Sequence, residues 1–184
     1  FSQQTNILFT FLGMDSLKVE VKNTRDAMVS SRFSKGIRDA MNMFFRDVSE
    51  NISKSGKQVE EIKHMMDSMY KKFSEDHGLS QSTPPPFSTL KYLKEIAKLE
   101  KGYNDHFNTT LNMLTNEQFT LTTKFFETIA SRVIHVYEIA NRDVERWLRV
   151  VMSPLETQVR EYQLQLKRRL ESVKRVHEAT GTLE

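Results

Sequence analysis

The chain has no cysteine, four prolines, six glycines and a single tryptophan among its 184 residues. Without thiols there is no disulfide, no thiolate metal site and no cysteine nucleophile, and the expected setting is cytoplasmic. So little glycine and proline builds few tight turns, so an all-β or α/β fold lacks its punctuation. The longest apolar stretch, Ile7 to Met14, falls far short of the ~20 residues a membrane-spanning helix needs. No basic region precedes it, as a secretory signal would require. Net charge is only +3, which by itself calls for neither nucleic acid nor membrane.

What is present fits one class. Apolar residues make up 38% and charged residues 28%, a balance that suits long amphipathic helices with one wet face. The expected fold is all-α, an elongated antiparallel bundle of coiled-coil-like helices forming a single module over residues 1–184. Residues 1–14 are apolar without a clean period and read as a short helix or a strand. Asp15 or Ser16 caps a helix beginning at Leu17, and no proline follows before Asp76. Phe33, Ile37, Met41, Phe44, Val48 and Ile52 form one stripe; Val59, Ile62, Met66, Met69 and Phe73 form a second. Between them Ser53-Lys54-Ser55-Gly56 predicts a kink, because glycine costs about 1 kcal/mol inside a helix. One long helix over 17–77, bent at Gly56, is therefore expected.

His77-Gly78 reads as a glycine C-cap, and residues 78–87, with Pro84-Pro85-Pro86, as a stiff loop. Ser88 caps a helix over 88–115, carrying Leu93, Ile96, Tyr103, Phe107 and Leu114. A further helix over 117–152 carries Phe126, Ile129, Val133, Val136, Tyr137, Val144, Trp147 and Leu148. Phe125 lies beside its stripe and marks a candidate interface. Ser153-Pro154 predicts the next boundary, with Ser153 as N-cap and Glu156 as its capping-box partner, opening a last helix over 154–180.

That last helix is the most informative stretch. Leu155, Val159, Tyr162, Leu166, Leu170 and Val173 are spaced four, three, four, four and three, an amphipathic ladder suited to packing or oligomerisation. It runs toward the C-terminus without a visible stop, and the chain opens on Phe1. Both features read as a helical segment of a larger protein. Between Asn141 and Val176 nine Lys/Arg outnumber five acids, leaving +4. Lys167, Arg168, Arg169, Lys174 and Arg175 are candidate contacts for anionic lipid or an acidic partner. Their simpler reading is a solvated face with i,i+4 pairs such as Glu145 with Arg149 and Glu171 with Arg175.

Catalytic patterns are missing. Nothing matches the phosphate loop G-x-x-x-x-G-K-S/T, the dinucleotide loop G-x-G-x-x-G, the G-x-S-x-G elbow or H-E-x-x-H. Glu61-x-x-His64 has the spacing of a di-iron bundle, but a second such pair is lacking; His135-x-x-Glu138 runs in reverse. No catalytic residue, metal, cofactor or small-molecule substrate is expected of this segment. The aromatics follow helical core spacing and offer no stacking platform for nucleic acid.

Two stretches resemble the helical part of bacterial dynamin-like GTPases. One runs from Met69 to Leu79 (Met-Tyr-Lys-Lys-Phe-Ser-Glu-Asp-His-Gly-Leu) into the proline loop and Phe87-Ser88. The other is Pro154 to His177, through Pro-Leu-Glu-Thr-Gln-Val-Arg-Glu-Tyr and Leu-Lys-Arg-Arg-Leu-Glu-Ser-Val-Lys-Arg. Together they span about a fifth of the chain. The resemblance implies a non-catalytic stalk that mediates self-assembly, packs with the rest of its own chain and takes part in membrane remodelling at the inner membrane face. GTP binding would belong to other sequence. It also implies bending, for which Gly56 and Pro154 are the candidate hinges. Two other readings of the residues stand beside it: a helical adaptor dimerising through its last helix, and a module that binds membrane surfaces.

Overall fold

The computed structural model describes residues 1–31, 33–79, 81–107 and 115–182. It is an all-α bundle: α1 (Ser2–Phe11), α2 (Met14–Val29), α3 (Ser34–His77), α4 (Leu90–Phe107) and α5 (Asn116–Gly181). The helices build two compact units. The first takes residues 1–62 and 87–145; the second takes 63–86 and 146–184.

In the first unit the 3.6-residue period is converted directly into a core. Ile37, Met41, Phe44, Val48 and Ile52 of α3 are buried, as are Phe126, Ile129, Val133 and Tyr137 of α5 and Tyr103 and Phe107 of α4. Phe44 meets Phe126 edge to face, with centroids 5.7 Å apart, the arrangement the ring quadrupoles favour. Polar ties satisfy backbone groups at the margins. Tyr137 donates to the Val48 carbonyl at 3.3 Å, and Asn141 Nδ2 donates to the Leu12 carbonyl at 2.9 Å. The latter anchors the end of α1, which is helical; Leu8 within it and Leu12 at its C-cap are fully buried. Phe125 is half-buried, stacked on Tyr103 at 6.1 Å and tilted over His106 at 4.3 Å.

The single helix expected over 17–77 is two helices, α2 and α3, parted at Ser30–Phe33. Serine hydroxyls satisfy backbone carbonyls locally there: Ser30 donates to Ala27 and Ser31 to Phe33, offering the chain an alternative to helix. Gly36 lets the turn fold back, since a Cβ at that position would fall 2.2 Å from Ser31 Oγ. Phe33, assigned to the core stripe, is exposed on this turn.

At Ser53–Gly56 no turn interrupts the chain; α3 runs through it as helix. Gly56 is instead a close-approach site, where a Cβ would lie 2.5 Å from Thr89 Oγ1. The start of α4 sits in the space a side chain would fill. At the start of α4 the Ser88 hydroxyl accepts from the Leu90 amide at 3.3 Å; α4 is described over Leu90–Phe107, and the rest of the helix expected to 115, with Leu114, lies outside the described residues. α5 opens on a reciprocal capping box the sequence reading passed over. The Gln118 amide donates to Thr115 Oγ1 at 3.2 Å, and the Thr115 amide to Gln118 Oε1 at 3.1 Å.

In the second unit, α3 stops at Gly78, whose φ of +63° suits glycine. The Leu79 amide then reaches back to the Ser74 carbonyl at 3.0 Å, the six-to-one bond of a Schellman cap. Ser74 Oγ donates to the Leu79 carbonyl. Tyr70, Met66, Leu79, Pro84, Trp147, Leu148 and Val151 are buried. The boundary expected at Ser153-Pro154 is overturned: α5 is one helix through Pro154. Ser153 therefore caps nothing. The missing proline N–H frees the carbonyl of Val150, an exposed residue, where water can replace the lost donor.

Candidate interaction surfaces

Around Tyr162 the last helix is still packed. His77 lies tilted against Tyr162 with centroids 4.0 Å apart, and Phe73 meets the same ring edge to face at 6.0 Å. Next to this cluster a cavity of about 230 Å³ is lined by Met69, Lys72, Phe73, Asp76 and Leu155. A second cavity, of about 450 Å³, lies along Met152, Leu155, Glu156, Val159 and Arg160. Leu155 lines both, so the upper half of the ladder borders open apolar space within the second unit.

From Leu166 onward every described residue of α5 is exposed. Among the described residues the end of the ladder is largely bare: Leu166 is 38% exposed, Leu170 70% and Val173 67%. Lys167, Arg168, Arg169, Lys174 and Arg175 share this bare segment. Lys174 pairs with Glu178 at 3.9 Å. The structure thus splits the six-residue stripe into a part seated on α3 (Leu155 and Tyr162), a margin (Val159 and Leu166, 37% and 38% exposed) and a free part (Leu170, Val173).

The first unit carries a surface that sequence reasoning missed. Between α2 and α3 lies a cavity of about 540 Å³, with Val19, Glu20, Met43, Phe44, Asp47 and Glu50 among its lining residues. Burial pushes the Glu20 carboxyl up to about 7, aided by its hydrogen bond to Asp47 and the repulsion between the two. Lys54 lies 2.9 Å from Glu50 and holds its carboxyl below the usual range. One signal was readable: Met43 and Val19 fall off the core stripes of their helices, and both are exposed.

A polar tie elsewhere in this unit joins α4 to α5. Tyr92 donates to Asp143 Oδ2 at 2.6 Å, and Lys91 Nζ lies 2.9 Å from the same oxygen. Burial first, and the Asp143 carboxylate second, raise the Tyr92 phenol well above its ordinary value.

Glu61 and His64 are both exposed. His135 Nδ1 lies 3.7 Å from Glu138 Oε2 on an exposed face. Among the described residues no group of three or more His, Cys, Asp or Glu converges as metal ligands would, and no helix is long and apolar enough to cross a membrane. No protein-family model, curated protein or solved structure matches the chain.

Proposed function

We propose that this chain is a non-catalytic helical stalk that mediates self-assembly and conformational coupling within a dynamin-like GTPase. One observation supports the reading above the others. The end of α5 carries Leu166, Leu170, Val173 and Val176 at helical spacing, all exposed. Burying each such side chain on association is worth ~1.5–3 kcal/mol, and a helix end has no local reason to keep such a stripe. Coupling would run through α3 and α5, each of which supplies residues to both units. Sedimentation velocity across a wide concentration range tests the proposal: a mass that rises with concentration supports it, and a monomer throughout contradicts it.

The exposed cluster Lys167, Arg168, Arg169, Lys174 and Arg175 favours one additional reading, contact with anionic membrane. Reversing Lys167, Arg168 and Arg169 to Glu should then abolish co-sedimentation with phosphatidylserine vesicles at low salt. Co-sedimentation unchanged by the reversal assigns the contact elsewhere.

A further inference from the structure

We infer that the bare end of α5 docks, in a second copy of the chain, into the groove between α2 and α3. The inference rests on the self-assembly reading and names the two surfaces that would meet.

The two are matched in charge. Residues 166–178 carry five Lys/Arg against two Glu. The groove presents Asp47 and Glu50 from α3, with Lys54 2.9 Å from Glu50 and Arg46 3.9 Å from Asp47, and a Glu20 carboxyl raised to about 7 from α2, a mildly acidic balance. On a helix advancing about 100° per residue, Lys167 and Lys174 fall to one side of the Leu166–Leu170–Val173 ridge and Arg169 to the other. The groove carries carboxyl groups on both walls, Glu20 from α2 and Asp47 and Glu50 from α3. A ridge flanked by cations is thus offered to a trough acidic along its α3 wall, with the Glu20 carboxyl opposite.

They are matched in apolar content and length as well. Val19 and Met43, 58% and 56% exposed, stand over a floor that includes the buried Phe44. These are apolar rims with nothing on them, as Leu170 and Val173 are apolar knobs with nothing around them. The groove runs from Ser16 to Ala27 along α2, about three helical turns, and Leu166 to Val176 is also about three turns. An amphipathic helix laid in a hydrophobic groove, read at i, i+3/i+4 and i+7, is a recurring mode of recognition.

The tail paired with its own copy is less favoured by the same residues. Both partners would bring the cationic segment, and a parallel register would set Arg169 against Arg169. Tail into groove is a heterologous contact, in which each copy offers one of each surface. Such contacts propagate into rings or open filaments and do not stop at a dimer.

That property supplies the test. One variant, Leu170→Glu/Val173→Glu, disables the tail; another, Val19→Lys/Met43→Lys, disables the groove. All four positions are more than half exposed, so helical content by circular dichroism should match the wild type; Glu50→Lys is a second groove variant. By sedimentation velocity the wild type should grow with concentration, each variant alone should stay monomeric, and an equimolar mixture should stop at a heterodimer. High salt should weaken that heterodimer. A mixture that stays monomeric while the wild type assembles overturns the tail-to-groove pairing alone, as does either variant assembling like the wild type. A monomeric wild type overturns the assembly reading beneath it.

Discussion

The indole N–H of Trp147 donates to the carbonyl of Pro85 at 3.0 Å. Both belong to the second unit, and the bond fastens the proline loop to α5 across 62 residues of sequence. Three prolines hold the segment extended and bring no amide donors of their own, so the tryptophan supplies the donor. Trp147→Phe keeps the ring and removes that donor, which should cost about 1 kcal/mol. Trp147→Ala also empties a buried site and should cost about 3–5 kcal/mol. Thermal melts of the two variants check the difference.

Gly56 and Thr89 give a second test. In an open helix Gly→Ala stabilises by about 1 kcal/mol. Here the new methyl meets Thr89 Oγ1, so Gly56→Ala should destabilise the chain. In a Thr89→Ala background the sign should reverse. Four melting curves close the double-mutant cycle.

Glu20 predicts a pH dependence. Its carboxyl is raised to about 7 in the folded chain against 4.5 ordinarily, so between those values the folded state holds a proton that the unfolded state has released. Stability should therefore fall as pH rises from about 4.5 to about 7 and level off above. The groups that face it are Asp47, Glu50, Lys54, Asn51 and the Tyr137 phenol. Glu20→Gln should flatten this fall and raise the melting temperature most at alkaline pH. A series of melts across pH reads both.

Pro154 sits inside α5, where a proline costs up to about 3 kcal/mol relative to alanine. Pro154→Ala should raise the melting temperature, because the helix already continues on both sides. An unchanged or lowered value would show that the ring's packing outweighs the lost hydrogen bond.

The helical class and most core positions were legible because amphipathic period and burial share one cause. Ile37, Met41, Phe44, Val48 and Ile52 line one face and are buried on it. The breaks were harder to read. Glycine and proline are local signals, yet Gly56 and Pro154 both lie in continuous helix; tertiary packing and solvent exposure decided those places. Conversely, the break between α2 and α3 holds neither residue within it; serine hydroxyls bond backbone beside it and Gly36 follows it. Of the α2–α3 groove only the off-stripe Val19 and Met43 were readable, since the groove joins Glu20 to Asp47 across a turn that the periodic pattern ran straight through.

Leu170 carries the central claim. It lies on the free ridge of α5, 70% exposed, so Leu170→Asp should leave monomer stability within about 0.5 kcal/mol of wild type while removing self-association. The measurement is sedimentation equilibrium of wild type and variant at matched high concentration, with circular dichroism melts alongside. The account predicts a lower mass for the variant and superimposable melts. Equal masses would contradict it.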